Sequence, residues 1–159
     1  MLSKILKTAL LTSTLVFAAV LWLTRDQFMI SQSAFALSNN NHWYWLMHLS
    51  IIATFVIDFI QYKRLWSLAV SVASACVLAF DMYNFPWWHN LFTGLMAALA
   101  VFNVIYYAGK QERPFAIMNS LVGTLVFLLG LWTDVHLFFG EVVIEFTIGV
   151  SMVRRFWKE

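Results

Sequence analysis

The chain has 159 residues, of which 62% are apolar and only 11% charged, with a formal net charge of +2. A soluble domain averages about half apolar and about a quarter charged residues, so this composition excludes one and points to an integral membrane protein. No basic stripe with interleaved aromatics stands outside the apolar segments, which excludes a nucleic-acid partner.

A hydrocarbon core roughly 30 Å thick is crossed by about 20 apolar residues of helix rising about 1.5 Å each. Six segments answer to that, at about 5–23, 43–61, 65–82, 87–108, 115–133 and 137–153. The expectation is an all-α membrane bundle of six transmembrane helices forming one domain over 1–159. The connections are short, so successive helices are antiparallel neighbours.

The first segment follows Lys4 and Lys7, a pattern shared with signal peptides, and Ala34-Phe35-Ala36 offers small residues for cleavage. That triplet lies well beyond an apolar run already long enough to span, so the segment reads as a retained anchor. Thr24 to Asn41 is the one long connection; Phe28, Met29, Ile30, Phe35 and Leu37 suit an interfacial loop or a short helix lying over the mouth of the bundle.

On the second segment His48 lies about five residues in, roughly 8 Å below the boundary. His42 precedes the span, in water. Asp58 is near the far end, next to Lys63 and Arg64, as expected of an interfacial ion pair. On the third, Ser67, Ser71, Ser74 and Asp81 recur on one face, and on the fourth so do His89, Thr93 and Asn103. Such stripes let helices pack and hydrogen-bond in lipid, and they mark the inward faces. Pro86 in the intervening hairpin brings Asp81 and His89 within reach of each other. Cys76, alone in the chain, reads as a small core residue.

Gly123 and Gly130 on the fifth segment and Gly140 and Gly149 on the sixth read as close-packing positions, since no Gly-rich phosphate motif is present. Asp134 and His136 straddle the turn between these two segments. Glu141 and Glu145 follow, one helical turn apart on one face. So placed in a membrane they are not both comfortably ionised; one holds a proton, hydrogen-bonded across helices, or a cation sits between them.

Nine of the ten basic residues share one side, with only Arg25 opposite. By the retention of Lys and Arg on the cytoplasmic face, both termini are cytoplasmic, in what reads as a bacterial inner membrane. Trp22, Trp43, Trp45, Trp87, Trp88 and Trp132 fall at the outer ends of the helices, Trp66 and Trp157 at the inner ends, as belt anchors. All four histidines gather at the outer end with Asp81, Asp134, Glu141 and Glu145. A charged group in hydrocarbon costs at least about 2.5–3.5 kcal/mol, so deep ones need a partner, a cavity or a site. The geometric expectation is that His48, Asp81, His89 and Glu141 converge on one outward-opening cavity, with His136 at its rim.

The stretch from Ser71 to Thr93, with Ser74, Asp81 and His89 on adjoining helices, resembles the ceramidase-like superfamily of multi-span membrane hydrolases, which includes the progestin and adiponectin receptors. The resemblance implies zinc held by histidine at His89, Asp81 polarising the site, and Ser74 at the serine position. The chain has six such segments where that group has seven, and in place of a closing pair of histidines four apart it carries His136, Glu141 and Glu145.

The leading expectation is a metal-dependent hydrolase acting on a lipid-like substrate at the outer leaflet. Zinc on His48 and His89, with His136 or Glu141, would activate water while Glu145 or Asp81 moves protons. The alternatives are a haem-binding electron carrier using His48 and His89 as axial ligands, a small transporter with Glu141, Glu145 and Asp58 along its path, and a structural subunit.

Overall fold

The computed structural model describes residues 2–24, 41–80, 82–133 and 137–158. Six helices make it up: α1 Leu2–Thr24, α2 Asn41–Tyr62, α3 Leu65–Ala79, α4 Pro86–Tyr106, α5 Arg113–Thr133 and α6 Leu137–Lys158. Four stretches, Ser3–Leu21, His42–Tyr62, Pro86–Tyr106 and Arg113–Gly130, are long and apolar enough to cross a membrane. α3 is apolar but has 15 residues, about 22 Å of helix. α6 has the length, but Glu141, Glu145, Arg154, Arg155 and Lys158 lower its hydropathy. The interfacial connection 25–40, and with it the expected cover over the bundle, lies outside the described residues.

Local chemistry sets the boundaries. Pro86 opens α4, where its missing N–H is no loss and its fixed φ suits the first helical turn. α2 stops at Lys63, whose φ of 56° puts a non-glycine residue in the left-handed region. Its N–H still reaches the Phe59 carbonyl at 2.7 Å, so the turn ends α2 and reverses the chain within two residues. α3 ends before the expected residue 82. Phe80 caps it with an N–H to the Cys76 carbonyl, and its own carbonyl accepts from the His89 ring at 2.8 Å. That bond ties the end of α3 to the start of α4.

Each helix packs on its neighbours in sequence, and α1 closes the ring against α6. The α5–α6 pair is the most extensive; α4 meets α5 and α6 only thinly. Glycine explains the first of these. A Cβ at Gly140 would stand 2.9 Å from the Phe127 Cα, and one at Gly123 would run into the Thr147 side chain and lie 3.2 Å from the Ile144 Cα, so both positions let the helix backbones touch. Buried Leu21, Met47, Val70, Val104, Met152 and Phe156 fill the middle of the ring.

Ion pairs fix the helix directions. The start of α1, end of α2, start of α3 and end of α6 meet at Asp58, and Glu112, just before α5, pairs with Arg154 and Lys158. The helices therefore alternate, with a basic end and a histidine end. Several hydroxyls within the helices are satisfied locally: Thr14, Ser50, Thr54 and Thr93 each donate to a carbonyl four residues earlier.

Candidate functional site

At the histidine end the ring encloses a cavity of about 120 Å³. Its polar wall is Tyr44 and His48 from α2, Thr93 from α4, Thr14 from α1, and Glu141 and Glu145 from α6. The rest is apolar, including Ile51, Phe55, Val70, Ala100, Ile148 and Met152. No Lys or Arg lines it among the described residues. The α2 register places His48 one turn beyond Tyr44, whose ring meets the imidazole edge-on at 4.6 Å between centroids. The α6 register sets Glu141 and Glu145 one turn apart on the cavity face.

His48 is buried, and its Nδ1 lies 2.9 Å from the Ser74 Oγ on α3. Ser74 is itself fully buried and is not part of the cavity wall, so its hydroxyl orients the ring and Nε2 is the nitrogen that remains for a ligand. His89 is also fully buried and close enough to His48 to interact with it electrostatically, but it does not line the cavity. A carbonyl only accepts, so the bond to Phe80 puts a proton on His89 Nδ1. Of the four residues expected to converge, the structure places His48 and Glu141 on one cavity, while His89 does not line it; Glu145 also lines the cavity and Ser74 stands behind His48. Asp81 and His136 lie outside the described residues.

A second constellation, at the basic end, went unread in the sequence except for one pair. Asp58 is fully buried and takes Arg64 at 3.0 Å, Arg155 at 3.1 Å, Lys7 at 3.4 Å and the Ser67 hydroxyl at 2.7 Å. Asn103 donates to Ser67 and its side-chain oxygen accepts from Arg155. Rings cover the cations, with Lys7 4.0 Å from the Phe156 centroid and Arg64 4.3 Å from that of Tyr62. The expected partner Arg64 is present, whereas Lys63 turns to the Phe59 ring. Lys7 and Arg155 come from the first and last helices.

Outside the helices, Glu112 accepts from Arg154, and Lys158 stands 3.4 Å away. The hydrogen bond from Arg154, with the charges of Arg154 and Lys158, holds its carboxyl below the ordinary value of 4.5 despite some desolvation. A lowered folded-state pKa contributes stability that is present above the unfolded value and lost as pH falls through the folded one. Acidification below about pH 4.5 is therefore expected to loosen the start of α5 from the end of α6. Hydrogen exchange of residues 109–116, followed from pH 6 to pH 3, checks this; the pH-dependent gain in exchange should be absent in Glu112→Gln and reduced in high salt.

The metal expectation finds no complete donor set. A catalytic zinc takes three protein ligands and keeps one open position, and no group of three or more His, Cys, Asp or Glu stands ready to hold a metal among the described residues. His136, one of the expected ligands, lies outside the described residues. The chain matches no protein-family profile, no curated protein and no solved structure.

Proposed function

We propose that this chain is a small multi-pass protein of a bacterial inner membrane, with six spans and both termini cytoplasmic, that takes a lipid-like molecule into the cavity of its bundle. The observation that carries the reading is the composition of one cavity wall: His48, Glu141 and Glu145 line a space that is otherwise apolar except for Tyr44, Thr14 and Thr93. An apolar pocket with a few convergent polar groups is the usual form of a small-molecule site. Polar groups that face a membrane cavity are costly to keep there, which favours a use for them in holding the polar end of a ligand.

Hydrolysis of that ligand at the outer leaflet is a second reading. The Ser74 contact favours it, because a histidine held through Nδ1 presents Nε2 in a fixed direction, as a general base toward water requires.

Photolabelling tests both. The protein is reconstituted with a fatty alcohol ester carrying a diazirine in its chain, irradiated and digested. Cross-links are expected on cavity residues such as Ile51, Phe55 and Ile148, and His48→Ala or Glu141→Gln should reduce them about tenfold or more, the scale of losing a hydrogen bond to a charged or polar anchor. Labels confined to lipid-facing Leu121, Leu125 and Leu129 would remove the ligand site. Release of free alcohol by wild type but not by His48→Ala would establish hydrolysis; cavity labelling with no release would leave binding alone.

A further inference from the structure

The shape of the cavity says more than its wall chemistry. Along α2 its lining runs from Tyr44 to Phe55, and along α6 from Glu141 to Met152. Each stretch holds twelve residues in register, eleven steps of about 1.5 Å, or about 16 Å. On α4 the lining runs in parallel from Thr93 to Ala100. A volume of about 120 Å³ between walls of that length describes a narrow space, suited to one slender chain. The polar groups stand toward one end, and Phe55, Ala100 and Met152 form the floor.

The wall has one weak side. α4 makes only thin contact with α5 and α6, whereas every other neighbouring pair packs closely. Gly94 of α4 is both exposed and part of the cavity wall, to which α5 contributes Phe127. A Cβ built on Gly94 meets nothing within 4 Å, in contrast to Gly123 and Gly140, where the helices touch. Glycine at this site is therefore not required for packing. Its missing side chain leaves open space at this point of the wall.

We propose that the ligand is a single unbranched alkyl chain that passes from the lipid phase through the gap between α4 and α5 at Gly94 and lies along the bundle axis, polar end toward His48 and Glu141, so that the floor at Ala100 sets the longest chain accepted. The proposal rests on the reading of this cavity as a ligand site. Because the chain comes from hydrocarbon and not from water, each added methylene brings little hydrophobic gain. Selectivity then appears as an upper limit on length and not as a steady rise in affinity.

The test uses full-length protein in lipid nanodiscs, a homologous series of 1-alkanols from hexanol to octadecanol at fixed mole fraction, and native mass spectrometry of the adducts. Wild type should bind one alkanol, with occupancy falling at least tenfold once the chain exceeds the cavity length. Ala100→Leu should move that limit to a shorter chain. Gly94→Phe should slow adduct formation at least tenfold. A Cβ at this position meets nothing within 4 Å and glycine is a poor helix former, and the helical content of Gly94→Phe is checked by circular dichroism before its rate is compared. No adduct with any alkanol in wild type would overturn the ligand site itself. Adducts without an upper length limit, or a limit unmoved by Ala100→Leu, or unchanged rates in Gly94→Phe, would leave the ligand site standing and overturn the single-chain gauge with its lateral passage.

Discussion

Asp58→Ala is expected to destabilise the bundle by about 3–5 kcal/mol, the usual effect of removing one partner from a buried ionic network. The size follows from what stays behind. Lys7 and Arg155, both buried, lose the carboxylate they share, and the Ser67 hydroxyl loses its acceptor. Reversible unfolding in mixed micelles, titrated with a denaturing detergent, reads the change. Asp58→Asn should remain severely destabilised, because an amide restores a hydrogen bond to Ser67 without restoring charge. Adding Lys7→Met and Arg155→Met to Asp58→Asn should recover much of the loss, since the stranded cations are then gone. Wild-type stability in Asp58→Ala would mean that the network does not hold the helices.

Gly140→Leu carries the next largest effect, about 1–3 kcal/mol or more, the range for forcing volume into a packed interface. The obstruction is the α5 backbone: the added Cβ would stand 2.9 Å from the Phe127 Cα and 3.3 Å from the Val126 carbonyl oxygen. No side chain can rotate away to relieve it, so α5 and α6 must separate. Gly149→Ala is the matched control. Its nearest atom is the Leu15 Cδ1 at 3.8 Å, an ordinary contact, and its effect should stay within about 0.5 kcal/mol in the same titration. Because Glu141 and Phe127 flank the obstructed point and line the cavity, Gly140→Leu should also lower photolabelling there. If it proves as stable as Gly149→Ala, close approach of the two helices is not what the glycine serves.

Helix number and approximate positions were legible in the chain because apolar runs of spanning length, cut by Lys63-Arg64, Pro86 and the Gly109–Pro114 turn, leave little choice of arrangement. Six helices appear where six were expected, and the serine stripe of α3 faces inward, through Ser67 to Asp58 and Ser74 to His48. The early end of α3 was not legible, since it depends on the Phe80 carbonyl being claimed by a ring nine residues on. Nor was the network around Asp58. Lys7 and Arg155 served as signs of orientation, a use that hides any pairing. The clue was a shared depth: Lys7, Asp58, Ser67, Asn103 and Arg155 all fall within about two turns of the same helix ends. The cavity was half legible, since spacing along α6 put Glu141 and Glu145 on one face, but only the packing of six helices shows that His48 faces them while His89 does not.

The sequence distance between Asp58 and its strongest late partner bears on how the chain is built. Ninety-seven residues separate Asp58 from Arg155, which at about 5–20 residues per second of synthesis is a delay of about 5–20 s. Asp58 thus enters the bilayer long before Arg155 exists. Lys7, made earlier, and Arg64, made just after, supply countercharge in the interval, so the nascent hairpin of α1 to α3 can wait in the membrane in a neutralised form. Arrival of the last helix then turns a provisional pairing into a closed one, and the same carboxylate that steadies the unfinished chain becomes the latch of the finished ring.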